Sequence, residues 1–176
     1  MCYENNMQSA ARTMGRSLLS GGEFKRILLV EDDAEMAAML KEFLEAYCYV
    51  VSTVTNGVDA LKAVMERVYE LIICDVLMPR LPGDAFYYAV QRVKPALCER
   101  FIFITAHGET QRTQEFLNHV RGMVLMKPFH VEDLLQTILL LFRDLEDTTR
   151  RLTLPDGASA VLPFPTVPGI PPRLQA

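Results

Sequence analysis

Residues 27–33 read Ile27-Leu28-Leu29-Val30-Glu31-Asp32-Asp33, four apolar side chains in succession and then three acids. A stretch that is apolar at every position, rather than at alternate ones, fits a strand buried on both faces. Met36, Met39, Leu40, Phe43, Leu44 and Tyr47 follow it at helical spacing. Strand then helix is therefore the expected unit, and it recurs. A strand over 49–54 precedes a helix near 58–68, and Leu71 to Cys74 precede a loop and a helix near 84–93. Phe101 to Ile104 come before a helix near 110–120, and Met123 to Met126 before a long helix over about 131–147.

Five such units predict an α/β fold, a doubly wound (βα)5 sandwich whose parallel sheet is covered on both faces. Residues 1–24, ending in Ser20-Gly21-Gly22, read as a flexible lead-in, and residues 25–150 as the domain. Residues 151–176 carry Pro155, Pro163, Pro165, Pro168, Pro171 and Pro172, a density that reads as a tail or linker.

The whole chain has 176 residues, half of them apolar, which is enough for one ordinary core. A formal net charge of −4 gives no basic excess for direct nucleic-acid binding. Cys2, Cys48, Cys74 and Cys98 are too widely separated for a CxxC or zinc pattern. No apolar run approaches the roughly 20 residues of a membrane span, and the first residues lack the apolar centre of a signal peptide, so a cytoplasmic protein with no membrane contact is expected.

In an open α/β sheet, ligands bind at the carboxyl ends of the strands. There the chain places Glu31, Asp32 and Asp33 after the first strand, Asp75 after the third, Thr105 after the fourth and Lys127 after the fifth. Each has an ordinary reading. Asp33 is best read as a helix cap, and the acidic turn as a whole is either surface capping or a cation site. Asp75 alone is a loop acid, Thr105 a hydroxyl at a helix start, and Lys127 a solvated side chain. Together, a metal-binding acid pair, a lone acid suited to be a nucleophile, a hydroxyl and a cation, each at a different strand end, are too many for coincidence and mark one site.

The segments 27–33, Cys74-Asp75-Val76-Leu77-Met78-Pro79 with Pro82-Gly83, Ile104-Thr105-Ala106 and Met126-Lys127-Pro128-Phe129 resemble the signature blocks of CheY-like receiver domains of two-component systems. The resemblance covers roughly residues 25–147. Around 105–117 it is nearest to receivers attached to hybrid histidine kinases. It implies a flavodoxin-like strand order 2-1-3-4-5. It also implies a phosphoacceptor that takes a phosphoryl group on Asp75 from a histidine kinase or phosphotransfer protein. Mg2+, or Mn2+ in its place, would be held by Glu31, Asp32, Asp75 and the backbone carbonyl of Leu77. Lys127 would pair with the phosphoryl oxygens and Thr105 would donate a hydrogen bond to one of them.

By the same resemblance the chain is no conventional enzyme, because it catalyses only its own phosphorylation and dephosphorylation. Output would pass to a protein partner, or to a second copy in a homodimer, through the face of the fourth helix, fifth strand and fifth helix. One departure stands out: receivers often carry Tyr or Phe three residues before the lysine, where this chain has Val124. Leu77 and His107 occupy positions that tune acyl-phosphate lifetime in such domains.

Two rival enzymes fail on single positions. A haloacid-dehalogenase-type phosphatase needs a second Asp where Leu77 stands, and a dinucleotide site needs a glycine-rich first turn where this one is acidic. The remaining alternative is a receiver fold that is never phosphorylated and serves only as an interaction module.

Overall fold

The structure is a computed structural model that describes residues 24–106 and 110–153. The expected lead-in, nearly all of the proline-rich tail, and His107 lie outside the described residues. Five strands and five helices alternate: β1 (Arg26–Val30), α1 (Ala34–Ala46), β2 (Val50–Val54), α2 (Gly57–Glu66), β3 (Leu71–Asp75), α3 (Gly83–Val93), β4 (Phe101–Ala106), α4 (Gln111–His119), β5 (Met123–Lys127) and α5 (Val131–Thr153). All strand pairings are parallel, in the order β2-β1-β3-β4-β5.

The apolar strands have the cause inferred from their sequence. Successive side chains point to opposite faces, and here both faces are covered. Leu28, Val30, Ile72, Cys74, Phe101 and Phe103 pack with α2, α3 and α4. Ile27, Leu29, Leu71, Ile73, Ile102 and Ile104 pack with α1 and α5. Each fully buried Leu or Ile contributes about 1.5–3 kcal/mol. Trimming Ile73, which is wholly buried at the centre of the sheet, to Ala would cost about 2–5 kcal/mol.

Local chemistry sets the helix starts. Asp33 caps α1, its Oδ1 accepting from the Glu35 and Met36 N–H groups at 2.9 and 3.0 Å. Asn56 caps α2 in the same way, and the Thr110 hydroxyl accepts from the Thr113 N–H at 3.3 Å to cap α4. Two differences from the expected pattern have plain causes. A 3-10 turn at Pro95–Arg100 separates α3 from β4, as the proline at its start ends the preceding helix. Helix α5 continues past 147 to Thr153, because no proline intervenes before Pro155.

β5 is an edge strand, and its residues are half-buried or exposed where a buried run was expected. Of the two leucines that widen the apolar stripe of α5, Leu139 is exposed while Leu140 is half-buried.

Candidate functional site

β1 and β3 lie side by side where the order of the sheet reverses, and the crevice at their carboxyl ends is the natural site. Register brings the candidates together. Val30 pairs with Cys74, so Glu31 and Asp75 leave neighbouring strands side by side. Asp75 pairs with Ile104, which sets Thr105 one residue further along β4, and Ala106 pairs with Lys127.

Glu31 and Asp75 are buried and Asp32 is exposed, and one carboxylate oxygen from each lies within 4.8 Å of the others. Lys127 Nζ donates to Asp75 Oδ2 at 2.5 Å and to Glu31 Oε2 at 3.3 Å. The other Asp75 oxygen, Oδ1, accepts from the Leu77 N–H at 2.8 Å. Both oxygens of Asp75 are thus oriented, one by a side chain from β5 and one by the loop after β3.

Charge in this crevice is unbalanced. Burial, then the neighbouring Asp75 charge, raise the Glu31 pKa above its ordinary value, against the pull of Lys127 and of the Asp33 N–H. Burial works against the Lys127 ammonium, but the hydrogen bond and charge of Asp75, with Glu31 behind them, outweigh it and hold its pKa above the ordinary one. One lysine facing three clustered acids leaves net negative charge, and clustered carboxylate oxygens are the donor set a hard divalent cation prefers. The residues present therefore fit Mg2+ or Mn2+.

Thr105 is fully buried, and its Oγ1 is the one buried side-chain polar atom among the described residues with no hydrogen-bond partner. An unmade bond of this kind is costly in a folded protein and points to a ligand absent from the resting state. Cys74 offers no rival nucleophile. Burial and the charges of Asp75 and Glu31 push its thiol well above the ordinary range, and its Sγ bonds the Asp75 carbonyl at 3.1 Å.

Glu31, Asp32, Asp75 and Lys127 thus meet, Thr105 stands one residue beyond the partner of Asp75 on β4, and Asp33 is a cap. Leu77 sits in the adjoining loop with its side chain exposed. The orienting role of its N–H was missed, although an Asp accepting from the backbone two residues on is a familiar local habit. Val124 is half-buried against the cluster that contains Phe103 and Phe116. The aromatic mass lies elsewhere, with Phe103 and Phe116 at 5.2 Å and Tyr87 at 5.7 Å from each. A depression of about 370 Å³ lined by Lys25, Glu70, Arg100 and Phe142 shares no residue with the site.

The family model of the response regulator receiver domain matches residues 27–139. The response regulator receiver protein CpdR of Brucella abortus is 32% identical over 114 residues, covering 65% of this chain and 93% of that relative. The transcriptional regulatory protein ZraR of Escherichia coli O157:H7 is 30% identical over 112 residues, 64% of this chain but only 25% of its own length. Among solved structures, chemotaxis protein CheY4 of Vibrio cholerae superposes with a TM-score of 0.60 at 25% identity, covering 68% of this chain and 99% of that one. A receiver domain protein from Clostridium thermocellum superposes with a TM-score of 0.64 at 21% identity, covering 71% and 99%, a likeness of fold.

Proposed function

Because the chain belongs to the response regulator receiver family of two-component signalling, we propose that it is a phosphoacceptor whose nucleophile is Asp75. The observation that carries this is the unpaired, buried Thr105 hydroxyl on the strand beside Asp75 and Lys127. That hydroxyl gains a partner once phosphoryl oxygens are present.

An Asp75 carboxylate oxygen forms a bond to phosphorus as the bond from phosphorus to the donor's imidazole nitrogen breaks, and the imidazole takes up a proton. The Leu77 N–H and Lys127 hold the carboxylate for that attack. Lys127 then pairs with the transferred phosphoryl oxygens, and Thr105 donates to one of them. Glu31, Asp32, Asp75 and the Leu77 carbonyl would hold magnesium, or manganese in its place, which would supply neutralisation of the phosphoryl charge. The chain's catalysis is confined to gaining and losing its own phosphate.

The donor is a histidine kinase or phosphotransfer protein, and the setting is cytoplasmic. Among the described residues no helix is long and apolar enough to cross a membrane. Output runs through α4, β5 and α5 to a protein partner or a second copy. Residues 25–150 act as the receiver unit, with 1–24 and 151–176 as appended segments.

Asp75→Asn tests the assignment, since it removes the nucleophile and keeps its shape. Magnesium-dependent labelling by a small phosphodonor such as phosphoramidate is expected in the wild type and absent in the variant. An acid-stable, hydroxylamine-resistant phosphate on the variant would move the site elsewhere. No labelling of the wild type would favour the interaction module.

A further inference from the structure

The loop between β3 and α3 carries the Leu77 N–H that orients Asp75, so whatever fixes that loop governs the nucleophile. Its α3 end is fixed by Gly83, whose N–H donates to the Val76 carbonyl at 3.0 Å. Its outer side meets the start of α2. The Gly57 N–H donates to the Leu81 carbonyl at 3.2 Å, and a Cβ on Gly57 would lie 2.4 Å from that oxygen and 3.0 Å from Leu81 Cβ. Real Cβ atoms do not approach a backbone oxygen so closely, and a backbone oxygen cannot swing aside as a side-chain end can.

Gly57 is itself held in place. It is buried in the first turn of α2, which Asn56, also buried, caps by accepting from the Val58 and Asp59 N–H groups at 3.1 Å. The Asn56 amide in turn donates to Asp59 Oδ2 at 2.8 Å. At one end the loop is tied to Asp75, and at its outer edge it rests on a turn of α2 that is locked by its own cap.

We propose that Gly57 is a positioning residue for phosphorylation, acting on Asp75 through the Leu81 carbonyl and the Leu77 N–H. This rests on the reading of Asp75 as phosphoacceptor. A glycine in the first turn of a helix is otherwise a liability, because alanine there is the better helix former. Its place is explained by close approach to Leu81. A methyl at 57 displaces the loop by a fraction of an ångström to an ångström, and misplacement on that scale costs catalysis far more than it costs folding.

The experiment compares Gly57→Ala with Val64→Ala in the full chain. Val64 is buried about two turns further along the same helix, so its truncation loosens α2 while leaving the close approach of Gly57 to the Leu81 carbonyl in place. Phosphorylation by phosphoramidate with magnesium is followed over donor concentration, alongside thermal stability. In Gly57→Ala the maximal rate is expected to fall about tenfold or more, with the donor concentration at half-maximal rate little changed. Val64→Ala should be the less stable variant and phosphorylate near the wild-type rate. Equal rates in Gly57→Ala and wild type, or losses in both variants that track stability alone, would overturn the positioning role. A wild type that takes no label would instead overturn the underlying reading of Asp75.

Discussion

Lys127 and Asp75, on strands separated by β4, meet with Nζ 2.5 Å from Oδ2, and the same ammonium reaches Glu31 at 3.3 Å. This lysine is the one ion-pair partner the acids have among the described residues, so it stands in for a cation. Removing it in Lys127→Ala leaves Glu31 and Asp75 facing each other, which should cost about 1–3 kcal/mol without metal. Added magnesium should restore more stability to the variant than to the wild type. Urea denaturation with and without the ion checks both. With its pKa held above 10.5 in the folded state, the lysine's own contribution is complete below the unfolded value. It is lost as pH rises through the folded one.

Thr105→Val separates the resting state from the signalling state. The resting hydroxyl is buried without a partner, so replacing it by a methyl of similar shape should leave the unphosphorylated protein as stable or more stable, by about 1 kcal/mol. The variant should still take phosphate on Asp75 but show a smaller change in amide protection around β4 and α4 on phosphorylation. A resting protein markedly destabilised by this change would mean that the hydroxyl is already satisfied.

The two assignments differ in how far the sequence announces them. Strands β1, β3 and β4 are legible because Ile27 to Val30, Leu71 to Cys74 and Phe101 to Ile104 are apolar at every position, and only burial on both faces explains that. β5 has the same apolar composition yet is an edge strand, since composition carries no information about which neighbour is missing. In the site, the residue types at the strand ends were legible, but the partnerships were not. Lys127 read alone is a solvated side chain, and its contact with Glu31 spans 96 positions of sequence. Nothing in the sequence analysis singles out Gly57, and only the approach of Leu81 from a distant loop gives it a role. Leu139 and Leu140 are indistinguishable by pattern, and packing alone decides which is exposed.

Metal binding at the site is expected to depend on the protonation of Glu31. Its folded pKa lies above the ordinary 4.5, so the contribution of its protonated form to folding is complete below that value and is lost as pH rises through the folded one. A cation needs the deprotonated form and must displace that proton. As pH is lowered, magnesium affinity should therefore begin to fall at a higher pH than it would at a site built on an ordinary glutamate. Glu31→Gln should bind more weakly at neutral pH and lose most of the dependence. Calorimetric titration at several pH values checks this, and an unchanged slope in the variant would assign the dependence to another group.

The last expectation concerns α5, where Leu134, Ile138 and Leu141 are buried and Leu139, next to them in sequence, is 36% exposed. Met126 on the edge strand β5 is 37% exposed, so β5 as well as α5 carries apolar surface that the core does not use. Under the proposed output through α4, β5 and α5, that surface is the place where a phosphorylation-dependent contact should form. Leu139→Glu should leave stability within about 0.5 kcal/mol of the wild type, as exposed substitutions generally do. It should weaken phosphorylation-linked association about tenfold or more, as loss of an apolar anchor does at an interface centre. Leu141→Glu, by contrast, would bury an unpaired charge and should prevent folding. Sedimentation of wild type and Leu139→Glu, with and without phosphodonor, reads the effect for a homodimer, and the same pair in a binding assay with the cognate output protein reads it for a heterologous partner. Because coupling is reciprocal, any partner that binds the phosphorylated form more tightly must also stabilise that form. If association does not depend on phosphorylation, or Leu139→Glu binds as the wild type does, the output surface lies elsewhere.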